Sequence, residues 1–327
     1  MNSRDEWQSW IECLQASRER REKFETLWTN LRSRYKGASF DKASSGGSSK
    51  RQTDIWNMAA SYVNTLTPQI IQGEPECAVE PMRWGEEFRL SAQHREYRIN
   101  GFARQLRLKR VYERMFHSAC WSCGLLQTGI NIKTNMHAVQ QSSEKNGGDV
   151  HVRLDWERSD RREYHDAGYP FVAYVDPYRF YPDFSASELD QMYWVGLEYF
   201  RTEQDIKSDP YFAQFADKIV CTLTAKPREG ESADNPKGSE GPNGRMGRDP
   251  RRKWVRFFDI YCPSEWVEGS ERVGAIITIA DKAAGCAEVI KKVAMNYGIE
   301  GFPFIVYKPL WVEDEFYPIP LICQWDE

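Results

Sequence analysis

Apolar residues recur at helical spacing through the first third of the chain. Trp7, Trp10, Ile11 and Leu14 fall at i, i+3, i+4 and i+7, and Phe24, Leu27, Trp28, Leu31 and Tyr35 repeat that spacing. The pattern predicts two amphipathic helices, the second ending at Lys36-Gly37 with a basic last turn and a glycine cap. Between them, Arg18-Glu19-Arg20-Arg21-Glu22-Lys23 mixes both signs, which predicts a solvated helix face laced by i,i+4 pairs and not a phosphate reader. Thr53 caps a further helix whose apolar side is Ile55, Met58, Ala59, Tyr62, Val63 and Leu66, closed by Thr67-Pro68. A Glu-Pro-Glu-Cys-Ala-Val-Glu-Pro segment over 74–81 is expected to be extended. The longest helical region runs from Gly85 to Cys123 and carries two stripes. These are Ile99, Phe102, Ala103 and Leu106, then Leu108, Val111, Tyr112, Met115, Phe116 and Ala119, and they are out of phase on one straight helix. Either the helix kinks near residue 107 or its buried face passes from one neighbour to another.

After Cys123 the period shortens from 3.6 to 2. A Gly124-bounded turn leads into a strand ending at Lys133, and Val150, Val152, Leu154 and Trp156 alternate as a half-buried strand that pairs back with 129–133. Phe171, Ala173 and Val175 alternate again until Asp176-Pro177 stops them, because proline offers no amide donor and restricts the residue before it. Tyr178, Phe180, Tyr181 and Phe184 then crowd around Pro182-Asp183, too much apolar area to leave wet. A second strand from Met192 to Phe200 reaches Thr202-Glu203-Gln204-Asp205, where Thr202 caps a helix and Asp205 takes the reciprocal position. Asp209-Pro210-Tyr211-Phe212 is expected to end that helical region. Residues 226–252 hold proline, glycine, asparagine and charge without one branched aliphatic side chain, the composition of a flexible loop. Its Arg245, Arg248, Arg251 and Arg252, with the adjacent Lys253, read as solvated. Trp254–Tyr261, Val273–Ala280 and Val289–Met295 make an antiparallel meander.

The fold class that follows is α+β: N-terminal helices with a long central helix, followed by a mostly antiparallel sheet. Its predicted divisions are a helical region over 1–128, an α+β core over 129–225, the flexible loop over 226–252 and an antiparallel β region over 253–327.

Charge and chemistry narrow the function. A formal net charge of −4 argues against a protein that coats DNA by neutralising phosphates. No uninterrupted apolar run approaches a bilayer's thickness and the N-terminus is charged, so the expectation is a soluble protein made in the cytoplasm, with no membrane partner. The aromatic share of 13%, with 12 Trp, favours large interfaces as well as cores. Eight dispersed cysteines read as reduced thiols, and Cys120-x-x-Cys123 lacks the second pair that zinc would want. The polar loop Ser-Ser-Gly-Gly-Ser-Ser at 44–49 lacks the G-x-x-x-x-G-K-[ST] order of a phosphate-binding loop, and no cofactor or metal is expected. The competing enzyme class, a metal-dependent hydrolase or nuclease, would have to use His137, His151 and His165 with Asp155, Asp160 and Asp166. These have no H-E-x-x-H-like spacing, and His151 alternates onto the wet face of its strand.

Three stretches in this order resemble the portal proteins of tailed bacteriophages. The first is 170–207: strand, proline-aromatic corner with Asp183, short acidic segment, Trp194-Val195 strand and the Thr202-capped helix. The second is the long helix passing through Gly124 and Gly129 into a strand ending at Lys133. The third is Pro303-Phe304-Ile305 followed by Glu315-Phe316-Tyr317-Pro318-Ile319-Pro320-Leu321. The resemblance implies the wing portion of a head-to-tail connector. It implies self-assembly into a ring, twelve-membered in the family, at one capsid vertex of the virion, through which double-stranded DNA passes during genome packaging and ejection. By the same resemblance its partners are further copies of itself, the terminase large subunit, the major capsid protein and a head-tail adaptor. A head-tail adaptor is also the nearest alternative, since it shares the ring logic. In the family the F-Y-x-x-P-L stretch leads into channel helices and a clip, so ending at Trp325-Asp326-Glu327 carries the expectation of a truncated or split subunit. The candidate subunit-interface residues are Tyr178, Phe180, Tyr181 and Phe184 of the corner and Tyr112 and Phe116 of the phase-shifted helix. Ordinary core is the other reading of both sets.

Overall fold

The computed structural model describes residues 3–35, 58–131, 134–135, 164–165, 169–223, 253–267, 273–295 and 301–325. Its helices are α1 (Ser3–Tyr35), α2 (Met58–Ile70), α3 (Glu86–Gln105), α4 (Leu108–Ala119), α5 (Glu203–Ser208) and α6 (Pro210–Ala213). Its strands are β1 (Gly124–Asn131), β2 (Thr134–Asn135), β3 (Tyr164–His165), β4 (Tyr169–Val175), β5 (Phe180–Pro182), β6 (Val195–Thr202), β7 (Trp254–Trp266), β8 (Val273–Ala280), β9 (Val289–Ala294) and β10 (Phe304–Tyr307). The architecture is α+β with antiparallel sheets, as the periodicity predicts. The expected strand at 150–156 and the loop at 226–252 lie outside the described residues.

The two expected N-terminal helices are one. α1 runs unbroken for 33 residues, and the charged run is its middle. The reason is phase: Trp7, Leu14, Arg21 and Trp28 follow one another at intervals of seven, and Ser17 and Leu31 fill the same stripe at i+3. All six are buried. Arg21 therefore belongs to the packed face, which corrects the expectation of a wholly solvated charged run. Its guanidinium donates to Phe180 O at 2.8 Å and to Glu25 Oε1 at 2.7 Å, and lies 4.1 Å from the centre of the Tyr181 ring. Arg20, one residue earlier, is exposed and reaches Phe184 O at 3.1 Å.

Five antiparallel strands in the order β5-β6-β7-β8-β9 form the main sheet. Alternation along β7 explains how both faces are covered. Phe258, Ile260 and Cys262 meet Trp7, Leu14 and Tyr181 under α1, while Val255 and Phe257 meet Ile206 of α5 and Phe212 of α6 on the other side. α1 lies close enough that a Cβ on Gly196 would come within 2.7 Å of Leu14 Cδ2 and force that side chain to shift. Its first turn is tied to the far end of the sheet. Trp7 Nε1 donates to Ala280 O at 3.1 Å, Val289 N donates to Ser3 Oγ at 3.1 Å, and Lys292 meets Glu6 at 2.9 Å.

The second sheet has the order β10-β1-β4, with β2 and β3 as a separate two-stranded ribbon. β1 pairs with β4 from Leu125 opposite Val175 to Asn131 opposite Tyr169, and with β10 from Gly124 opposite Tyr307 to Gln127 opposite Phe304. The helix-to-strand change thus comes at Gly124, a few residues before the expected boundary. α4 packs on this sheet, and its Phe116 joins Leu31, Val63, Cys120 and Ile322 where α1, α2 and the C-terminal segment meet.

Several local expectations hold. Asp176 caps a turn of 3-10 helix by accepting from Tyr178 N at 3.1 Å, and Thr202 with Asp205 forms a capping box at the start of α5. One termination does not. α2 continues through Thr67-Pro68 to Ile70, because Thr67 Oγ1 donates to Val63 O at 2.7 Å and Ile71 N to Thr67 O at 3.0 Å, keeping the turn bonded around the missing proline donor. Asp209 ends α5 as expected, but a further short helix follows it at once. The same residue caps α6 by accepting from Tyr211 N at 3.0 Å.

The buried guanidinium sets the first prediction. Arg21→Ala strands Glu25 and the Phe180 carbonyl and opens a cavity over Tyr181, so urea unfolding is expected to show a loss of about 3–5 kcal/mol. Arg21→Met, which keeps the apolar stem, should lose clearly less. Equal midpoints for Arg21→Ala and the parent protein would refute this role.

Candidate interaction surface

The sequence-derived interface residues lie mostly inside their own chain. Tyr178, Phe180, Tyr181 and Phe116 are buried, Phe184 is partly covered and Tyr112 is half-buried. The corner folds against α1 and the C-terminal segment. Phe180 stacks on Phe316 at 5.8 Å and meets Phe304 edge-on at 5.3 Å, Tyr178 meets Trp28 at 5.4 Å, and Phe184 lies 5.8 Å from Tyr317. Tyr181 donates to Glu198 Oε2 at 2.6 Å. Burial, with the Glu198 carboxylate beside it, pushes the Tyr181 phenol far up, so it stays a neutral donor. Phe116 lies 6.3 Å from Tyr307. Buried in this way, Tyr178, Phe180, Tyr181 and Phe116 offer no surface to a neighbour, and the core reading of the corner is the one that the packing supports.

A group of exposed apolar side chains lies elsewhere, on an arm formed by residues 71–105. The 71–85 segment has no regular structure and runs as a strap along α3. Asn100 pairs with the Cys77 backbone as a strand would, Oδ1 accepting from its N–H at 2.8 Å and Nδ2 donating to its carbonyl at 3.0 Å. Glu96 Oε2 accepts from Val79 N at 3.1 Å, Arg104 meets Glu76 at 3.5 Å, and Lys109 N donates to Glu74 at 3.3 Å. Glu96, Asn100 and Ala103 fall at i, i+4 and i+7, with Ala92 one turn earlier, so the strap occupies one face of α3. Ala92 and Ala103 are the buried residues of that helix.

Ile71, Val79 and Phe102 are half-buried, but the other bulky apolar side chains of the arm are exposed. Met82 and Trp84 are fully exposed, Tyr97 is 82% exposed, and Phe88, Leu90 and Ile99 are all exposed as well. A 20-residue helix with two alanines buried has little packing to hold it, since helical stability in proteins comes mainly from an apolar face against a core. The arm is close to neutral: over 71–105 five arginines stand against six glutamates.

The helical region breaks where the two stripes change phase. Arg107 adopts the left-handed conformation (φ 52°, ψ 50°) after Leu106 N closes on Phe102 O at 2.8 Å. A side chain there costs about 1–2 kcal/mol of backbone strain. α4 then turns its stripe onto the second sheet while α3 leaves it. At the base of the arm, His117 Nε2 lies 3.0 Å from Tyr35 Oη and its ring 4.5 Å from that of Trp121. Burial, with Arg32 nearby, lowers the His117 pKa below the usual imidazole value.

Among the described residues, no group of three or more His, Cys, Asp or Glu side chains is placed to hold a metal ion. His137, His151, Asp155, Asp160 and Asp166 lie outside the described residues. For His165 only the backbone is described, pairing with Thr134. Burial pushes the Cys120 thiol up to about 12 and raises Cys123 further, so this pair is unreactive core. Among the described residues no helix is long and apolar enough to cross a membrane. Compared with known proteins, the chain matches no family model and no curated protein.

Sequence reasoning passed over Met82, Trp84 and Tyr97, although a signal was present. Between Glu86 and Arg98 the spacing supplies no continuous apolar stripe, so this half of the helix had nothing with which to reach a core.

Two outcomes are expected. In native protein, Cys77 in the exposed strap should react with a thiol reagent well before Cys120 and Cys123, and Asn100→Leu should abolish hydrogen-exchange protection of the Cys77 amide. Because the folded pKa of His117 is depressed, its contribution to stability is present above the unfolded value and is lost as pH falls through the folded one. Unfolding midpoints should decline on acidification through that window, and His117→Gln should flatten the decline.

Proposed function

We propose that this chain is the wing portion of a portal-type subunit, one wedge of a ring at a capsid vertex through which double-stranded DNA is packaged and later released. The observation that carries the reading is the arm: a clipped helix and strap that leave Met82, Trp84, Phe88, Leu90, Tyr97 and Ile99 exposed, as in a subunit completed by its neighbours. Closed rings need one surface of each copy to fit a different surface of the next. Large exposed apolar side chains in this number mark an interaction site.

The motifs behind the resemblance support the same reading. The strand, the Asp176-Pro177 stop, the aromatic corner, the β6 strand and the Thr202–Asp205 capping box follow one another in the portal order. The third stretch, with Phe304, Phe316 and Tyr317, packs onto that corner. A net charge of −4 suits a conduit past which DNA slides, since binding by phosphate neutralisation needs a basic excess. Terminase, the major capsid protein and a head-tail adaptor are the partners that this role carries with it, and the portal vertex of the virion is its location.

The test is the mass and shape of the purified chain. Sedimentation and electron microscopy should show closed rings, twelve-membered by resemblance, and incubation with double-stranded DNA and magnesium or manganese should leave the DNA intact. A chain that stays monomeric at high concentration sinks the ring, and metal-dependent DNA cleavage would favour the hydrolase.

A further inference from the structure

Where the arm joins the body, the chain turns basic. Residues 104–114 carry Arg104, Arg107, Lys109, Arg110 and Arg114 against Glu113 alone, in a chain whose formal net charge is −4. The four arginines are exposed, and the half-buried Lys109 donates from Nζ to Gln72 O at 3.4 Å. Arg107, Arg110 and Arg114 fall at i, i+3 and i+7, along the side of α4 turned away from the buried Phe116 and Ala119. Arg114 is steadied by Tyr174, whose ring centre lies 4.9 Å from its Cζ. The strap brings two acids to this elbow. Glu76 meets Arg104 at 3.5 Å, and Glu74 accepts from Lys109 N at 3.3 Å. Among the described residues neither Arg107 nor Arg110 forms an ion pair.

Backbone strain singles out one of these residues. Arg107 sits in the left-handed region (φ 52°, ψ 50°), where glycine rests without strain and asparagine with little. A strained backbone kept under a charged side chain points to a use for that charge. We infer that the elbow contacts the phosphate backbone of double-stranded DNA, Arg107 and Arg110 at its centre and Arg104 and Arg114 flanking them. This rests on the portal reading and deepens it by naming the surface that touches the genome. The planar fork of arginine, present at four of the five basic positions, matches phosphate oxygens. The stripe from Arg107 to Arg114 is about 10 Å long, the span of roughly three phosphates along one strand.

So few contacts bind weakly and give way to salt: with four arginines engaged, the logarithm of the binding constant falls by about 3–4 for each tenfold rise in salt. The acidic remainder of the chain adds no hold of its own, so DNA is guided at the elbow and still free to slide.

The experiment follows the fluorescence anisotropy of a short labelled duplex of mixed sequence as the full chain is added, from low to physiological salt. The expected result is binding with the steep salt dependence above. Arg107→Gln with Arg110→Gln should weaken it by on the order of tenfold at low salt and lower the salt slope by about 2. Arg89→Gln with Arg95→Gln, two exposed arginines of the arm outside the elbow, should leave it unchanged. Arg107→Gly separates charge from structure. It relieves the left-handed backbone, so the urea midpoint should hold or rise while DNA affinity falls severalfold. A parent chain that ignores the duplex at low salt, or a double variant that binds as the parent does, overturns the elbow, and rings formed by the same preparation leave the portal reading standing. A polyglutamate peptide that binds more tightly than the duplex, and does so through Arg107 and Arg110, assigns the patch to an acidic protein and overturns the proposal as well. Elbow-dependent DNA binding by a chain that never forms rings keeps this surface and removes the ring.

Discussion

The seam between α1 and the proline-aromatic corner holds three distant parts of the chain together, and Arg21 is its centre. A guanidinium without water loses several kcal/mol of hydration, and it stays in the folded state only if its partners are fixed. Here the Phe180 carbonyl, Glu25 and the Tyr181 ring supply them. Around this charge, Trp28, Tyr178, Phe180, Phe316 and Tyr317 meet at edge and stacking distances. Each such aromatic pair adds roughly 0.5–1.5 kcal/mol beyond its buried area. The seam also carries a cost: the second guanidinium nitrogen of Arg21, Trp28 Nε1 and Tyr317 Oη are buried without a hydrogen-bond partner among the described residues. Aromatic packing has to outweigh it, which is why so many rings converge there.

Much of the fold was legible because it rests on short-range rules. Alternation marked β4, β6 and the β7-β8-β9 meander, and the Thr202–Asp205 box and the Asp176-Pro177 stop were readable one residue at a time. α1 was misread at its centre for a physical reason. A run of mixed charge looks solvated whichever way it faces, and only the seven-residue spacing from Leu14 through Arg21 to Trp28 shows which of its members turns inward. The corner was recognised as too apolar to stay wet, but composition cannot say whether rings are covered by their own chain or by another. Long-range packing by α1, β10 and Phe316 decided that.

The arm shows the opposite limit. Its helix and the break near residue 107 were both in reach of periodicity, yet its exposed residues were not, because exposure is a property of what is not nearby. Asn100 is a good example. A single amide side chain imitates a paired strand and lends the Cys77 backbone the donor and acceptor that an irregular strap otherwise lacks. The arm is thereby stiff without being buried, a combination expected of a surface made for another molecule.

The turn at Arg107 has a consequence for geometry at larger scale. α3 gains little from packing against the body, so the bearing of the arm is set at two narrow attachments, the Arg107 turn and the strap's entry from α2, where Lys109 N meets Glu74. A joint of that kind adjusts without disturbing the core beneath it. A change in the arm's inclination would be taken up at these two attachments and not in the packed sheets.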